Sequence, residues 1–148
     1  NRAPLVCESP IRCPQINEAR FNNRMHERPE IPTIYLIDDD DAVRDSLDVF
    51  LTLKGMSVVA FSSGLHLLDG ELNDPNLLIL DVNLPELDGF SLLEALRSRG
   101  CDAPAVFMTG LGNPEIRAKA ERAGAAAFFD KPIDAPVLYY TVARLLAP

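Results

Sequence analysis

The chain has 148 residues, 47% of them hydrophobic and 24% charged, with a formal net charge of −8. That length buries a core without disulfide or metal staples, and an acidic body with no basic stripe argues against direct nucleic-acid binding. No apolar run reaches the roughly 18 residues of a membrane span and no signal peptide opens the chain, so a cytoplasmic, non-membrane domain is expected.

Residues 1–32 differ from the rest. They carry five arginines against four glutamates and five of the 12 prolines, whereas the other 116 residues carry nine basic against 18 acidic side chains. We read 1–32 as an N-terminal extension, flexible or with one short helix over Gln15–Arg28, and 33–148 as the folded domain. The absence of a starting methionine suits a trimmed or processed product. Cys7, Cys13 and Cys101 make no disulfide framework, and Cys101 reads as a plain free thiol.

From Thr33 onward, short apolar runs alternate with helical periodicity. The first strand, Thr33–Ile37, runs into four consecutive aspartates, Asp38 to Asp41. A helix over Ala42–Lys54 follows, with Val43, Leu47, Phe50 and Leu51 on one face. Next come a strand Ser57–Phe61, a helix Gly64–Gly70, and a strand Asn76–Leu80 that delivers Asp81. A helix Phe90–Ser98, a strand Ala105–Met108 ending at Thr109, and a helix Pro114–Ala123 continue the pattern. A strand Ala126–Phe129 leading to Lys131-Pro132 and a helix Ala135–Leu146 complete it. Such alternation predicts an α/β fold, a doubly wound parallel sheet covered on both faces by right-handed crossovers. The expected strand order, 2-1-3-4-5, sets the first and third strands side by side.

That order brings Asp38, Asp39, Asp81, Thr109 and Lys131 to the carboxyl edge of the sheet, where open α/β folds bind ligands. Carboxylates so close repel unless a cation sits among them, and hard oxygen ligands with room for water suit Mg²⁺. A carboxylate attacking phosphorus would give an acyl phosphate, with charge neutralised by the metal and Lys131. Asp40 and Asp41 either begin the first helix, where negative charge is favourable, or touch the metal.

Ile37-Asp38-Asp39, Leu80-Asp81 with Leu84-Pro85 and Asp88-Gly89, Met108-Thr109-Gly110 and Lys131-Pro132 together resemble the receiver domain of two-component response regulators. Thr109-Gly110 and Phe128-x-x-Lys131-Pro132 look most like the nitrogen-fixation transcription-regulator group. The resemblance covers residues 33–147 and implies a flavodoxin-like (βα)5 fold. It implies Asp81 as phosphoacceptor, with Asp39, Asp81 and the Asn83 backbone carbonyl on Mg²⁺ and Asp38 acting through metal-bound water. It further implies Thr109 and Lys131 on the phosphoryl group, Phe128 as a switch aromatic, and a cis bond before Pro132. Asn83 and Leu111 fall where the family tunes phosphoryl lifetime.

The implied partners are a sensor histidine kinase or a histidine phosphotransfer protein. A homodimer through the fourth helix, fifth strand and fifth helix is a further expectation. The domain is then a signalling switch rather than an enzyme, though self-phosphorylation from small donors and self-dephosphorylation fit it. Two other readings stay open. One is a Mg-dependent aspartyl-phosphate hydrolase of haloacid dehalogenase type, which usually has a second acid where Asn83 stands. The other is a degenerate receiver that only binds.

Overall fold

The computed structural model describes residues 30–148. The expected Gln15–Arg28 helix and the pair Cys7 and Cys13 lie outside the described residues. Five strands, β1 (Thr33–Ile37), β2 (Ser57–Phe61), β3 (Leu77–Asp81), β4 (Ala105–Thr109) and β5 (Ala127–Asp130), alternate with five helices. The helices are α1 (Asp41–Leu53), α2 (Gly64–Asp69), α3 (Gly89–Ser98), α4 (Pro114–Arg122) and α5 (Ala135–Leu146). All strand pairs are parallel and the order is β2-β1-β3-β4-β5, as expected.

Strand side chains alternate between faces, and here both faces are covered. Tyr35, Ile37, Leu78, Leu80 and Phe107 pack with Leu67 of α2, Leu92, Leu93 and Leu96 of α3 and Ala120 of α4. Ile34, Leu36, Leu77, Ile79, Val106 and Met108 pack with Leu47 and Leu51 of α1 and Leu138 and Val142 of α5. Every residue of β3 and β4 is buried, which explains their uninterrupted apolar character.

Each helix begins at a side-chain cap. Asp40, Ser63, Asp88, Asn113 and Asp134 accept hydrogen bonds from the free amides of α1 to α5 in turn, each worth about 1 kcal/mol. Gly55, Gly100 and Gly124 leave α1, α3 and α4 with φ near +90°, +89° and +84°, a conformation that costs glycine little.

Element ends differ from the sequence expectation by a residue or so. Asn76 is not the first residue of β3: its side chain accepts from the Thr33 amide at 2.8 Å, bracing the start of β1. Asp81 belongs to β3 because it pairs in register with Met108, and Thr109 belongs to β4 through Asp130.

Candidate functional site

The end of β1 turns sharply into α1. Asp38 is fully buried, and its Oδ1 accepts from the Asp40 amide at 2.9 Å. Asp39 is exposed. Asp40 caps α1 by accepting from the amides of Ala42 and Val43 at 2.9 and 3.2 Å. The four consecutive aspartates therefore divide their work, and Asp40 serves the helix start. One carboxylate oxygen each from Asp38, Asp39 and Asp81 lie within 4.8 Å of one another.

Asp81, 3% exposed, ends β3 at the centre of this cluster. Its Oδ1 accepts from the Asn83 amide at 3.2 Å, and its Oδ2 accepts from Lys131 Nζ at 3.2 Å. Lys131 follows β5, and its peptide bond to Pro132 is cis. Lys131 Nζ also lies 2.8 Å from Asp38 Oδ2. That ammonium is the one partner of this oxygen among the described residues. An ionised carboxylate can accept more bonds than that, so Asp38 keeps room for a metal-bound water. The donor set fits Mg²⁺: hard carboxylate oxygens, one of them exposed to water.

Thr109, buried at the end of β4, faces the same edge. Its Oγ1 accepts from Asn83 Nδ2 and from the Leu111 amide, both at 3.1 Å. The Leu111 side chain itself is 72% exposed. Phe128 lies on the sheet face that carries α3 and α4, packed against the cluster of Phe107 and Ile116. Its ring carries the Arg117 guanidinium at 4.7 Å. Phe129 packs on the opposite face with Val142 and Leu138, so only Phe128 shares the face of α4.

Burial and the nearby Asp38 charge push the Asp81 carboxyl up to about 6, against the opposing pull of Lys131 and the Asn83 amide. For Lys131, burial favours the neutral amine, but Asp38 and Asp81 outweigh it and hold the ammonium above its ordinary value. Among the described residues the site is thus net-negative, three carboxylates facing Lys131, and burial makes its central acid harder to ionise than a free carboxyl.

Two contacts were not foreseen from sequence. Asn83 links Asp81 to Thr109, through its main chain on one side and its amide on the other. Arg44, one turn into α1, donates from Nη1 to the Asp38 carbonyl at 2.8 Å and pairs with Asp41 through Nη2. Asp41 is thereby accounted for. An i, i+3 acid–base spacing was visible in the sequence, but nothing there marked a bond to a main-chain oxygen.

Three carboxylates, a lysine and a hydroxyl on the carboxyl edge of a 2-1-3-4-5 sheet define a phosphoryl-accepting α/β signalling domain. Comparison with known proteins bears this out. Residues 34–143 match the response regulator receiver domain family. Over 107 residues the chain is 38% identical to the transcriptional regulatory protein FixJ of Azorhizobium caulinodans, covering 72% of this chain and 51% of that one. Over 108 residues it is 37% identical to the response regulator protein TodT of Pseudomonas putida, covering 72% and 48%. The crystal structure of FixJ-N superposes with a TM-score of 0.69 at 28% identity, covering 79% of this chain and 94% of that one.

The chain belongs to the receiver domain family of two-component response regulators. The narrower resemblance to the nitrogen-fixation regulators is supported by the similarity to FixJ. It is a signalling domain whose work is phosphorylation-dependent switching, and the hydrolase reading is set aside. The chain spans about half the length of the curated relatives it matches. No helix among the described residues is long and apolar enough to cross a membrane.

Proposed function

We propose that Asp81 is the phosphoacceptor of this receiver, supplied by a sensor histidine kinase or histidine phosphotransfer protein. The observation that carries the reading is the convergence of the Asp38, Asp39 and Asp81 carboxylates beside Lys131. A carboxylate oxygen of Asp81 attacks the donor's phosphorus, an O–P bond forms, and the P–N bond to the donor imidazole breaks. The imidazole takes up a proton as it leaves. Asp39, Asp81 and the Asn83 carbonyl would hold Mg²⁺ directly, with Asp38 acting through water. When bound, Mg²⁺ neutralises charge on the transferring phosphoryl oxygens.

Lys131 is placed to leave its contact with Asp81 Oδ2 for a phosphoryl oxygen, staying charged throughout. Thr109 donates a hydrogen bond from its hydroxyl to another phosphoryl oxygen, and in moving draws the Gly110–Asn113 loop inward. Phe128, on the face of α4, follows into the space so vacated. The result is a population shift between two conformations. Output is transcriptional control exercised outside this domain, as the name of FixJ suggests. Residues 1–32 are the N-terminal extension and 33–148 the receiver domain.

Incubating the protein with a small acyl phosphate and Mg²⁺, followed by intact-mass measurement, tests the reading. Wild type gains one labile phosphoryl group and loses the gain when Mg²⁺ is chelated; Asp81→Asn gains none. Equal labelling of Asp81→Asn would place the acceptor elsewhere.

A further inference from the structure

Resting on the magnesium reading above, we propose that Arg44 is a positioning residue for the metal site, holding the β1–α1 turn in the shape that lets Asp39 reach the ion. The turn is short: β1 ends at Ile37 and α1 begins at Asp41. Within it the Asp38 amide donates to the Phe61 carbonyl at 3.2 Å, and the Asp38 side chain holds the Asp40 amide. The Asp38 carbonyl is the remaining polar group before Asp39, and Arg44 Nη1 bonds it at 2.8 Å. The second prong of the guanidinium is fixed by Asp41, at the first position of the same helix. Held between these two partners, the Arg44 side chain is only 16% exposed.

Asp39 is the member of the acid cluster with the least fixed surroundings. It is exposed, and no side-chain hydrogen bond or ion pair to it is present among the described residues. The direction of its carboxylate is inherited from the main chain, above all from the peptide plane that Arg44 holds. Groups that orient a metal ligand without touching the metal commonly carry ten- to a hundredfold in affinity. A two-pronged planar cation suits this task because it bonds a carbonyl and a carboxylate at once.

Positioning and bare electrostatics predict opposite signs. Arg44 is a cation beside an acidic pocket, so its removal by charge alone would tighten Mg²⁺ binding. If it acts by holding the turn, removal weakens binding. The experiment is calorimetric Mg²⁺ titration of the full chain at fixed pH and ionic strength, with wild type, Arg44→Ala, Arg44→Lys and Arg99→Ala compared. Arg99 is the control: its Nη1 bonds the Leu68 carbonyl at 2.7 Å, far along the chain from the acid cluster.

We expect Arg44→Ala to weaken Mg²⁺ about tenfold, Arg44→Lys to weaken it less, and Arg99→Ala to leave it unchanged. Thermal melting of each variant shows that it is folded at the titration temperature. Unchanged or tighter binding by folded Arg44→Ala would overturn the proposal. A wild type that binds no Mg²⁺ would instead overturn the magnesium reading on which it rests.

Discussion

At the scale of single residues, the proposed acceptor role needs Asp81 ionised, and its carboxyl is pushed up to about 6 by burial and the Asp38 charge. Because the folded value lies above the carboxyl's ordinary value of 3.8, the folded chain binds more protons between the two. Its stability contribution from this group is therefore present at low pH and lost as pH rises through about 6. Metal binding has the reverse dependence, since the ligand must shed its proton. We predict that Mg²⁺ affinity holds steady above pH 7 and falls progressively below about 6, measured by calorimetric titration from pH 7.5 to 5. A flat profile over that range would mean that Asp81 is ionised well below 6.

Asp38, Asp81, Thr109 and Lys131 were legible in the sequence because each combines a chemically specific side chain with a place at a strand end. Arg44 and the Asn83–Thr109 bond were not, for a physical reason. Their partners are a main-chain carbonyl and a neighbouring hydroxyl, and such contacts follow from the path of a turn rather than from residue spacing.

At the scale of elements, α3 is pressed onto the end of β3. A Cβ on Gly89 would lie 2.3 Å from the Asp81 carbonyl oxygen and 3.1 Å from Val82 Cα. The Gly89 amide bonds the Val82 carbonyl at 3.0 Å. Only backbone lies in the way, so no side chain can swing aside. Gly89→Ala is expected to cost about 2–3 kcal/mol, read as a lower urea midpoint with an unchanged slope. It should also slow phosphorylation, because the strained contact is with Asp81 itself. A midpoint equal to wild type would show that α3 can lift without cost.

The sequence located all ten regular elements of the domain, since buried strands read as apolar runs and helices as one-sided stripes. It placed the first residue of β3 one position early. Asn76 sits beside an apolar run, yet its amide side chain is used to tie down Thr33, a long-range bond that local pattern does not reveal.

At the scale of the whole molecule, strand order was legible because short right-handed crossovers leave few ways to stack five βα units. The associations of the domain are not written in that pattern. Among the elements of the expected α4–β5–α5 contact, Arg117 and Asp130 pair at 3.3 Å between α4 and β5, and Val137 and Tyr140 of α5 are exposed. Mixed charge around apolar residues suits a symmetric contact. We propose that phosphorylation promotes a homodimer there. Sedimentation velocity should then show a dimer fraction that grows on phosphorylation and that Tyr140→Glu abolishes. A phosphorylated wild type that stays monomeric at high concentration would exclude it.

The central claim is that one carboxylate, Asp81, carries the phosphoryl group. Its most direct test is reductive trapping: the phosphorylated protein is treated with borohydride, which converts an acyl phosphate to an alcohol, and then digested and mapped by mass spectrometry. The account predicts homoserine at position 81 and unmodified aspartate at 38 and 39. Homoserine at either of those positions, with Asp81 intact, would contradict it.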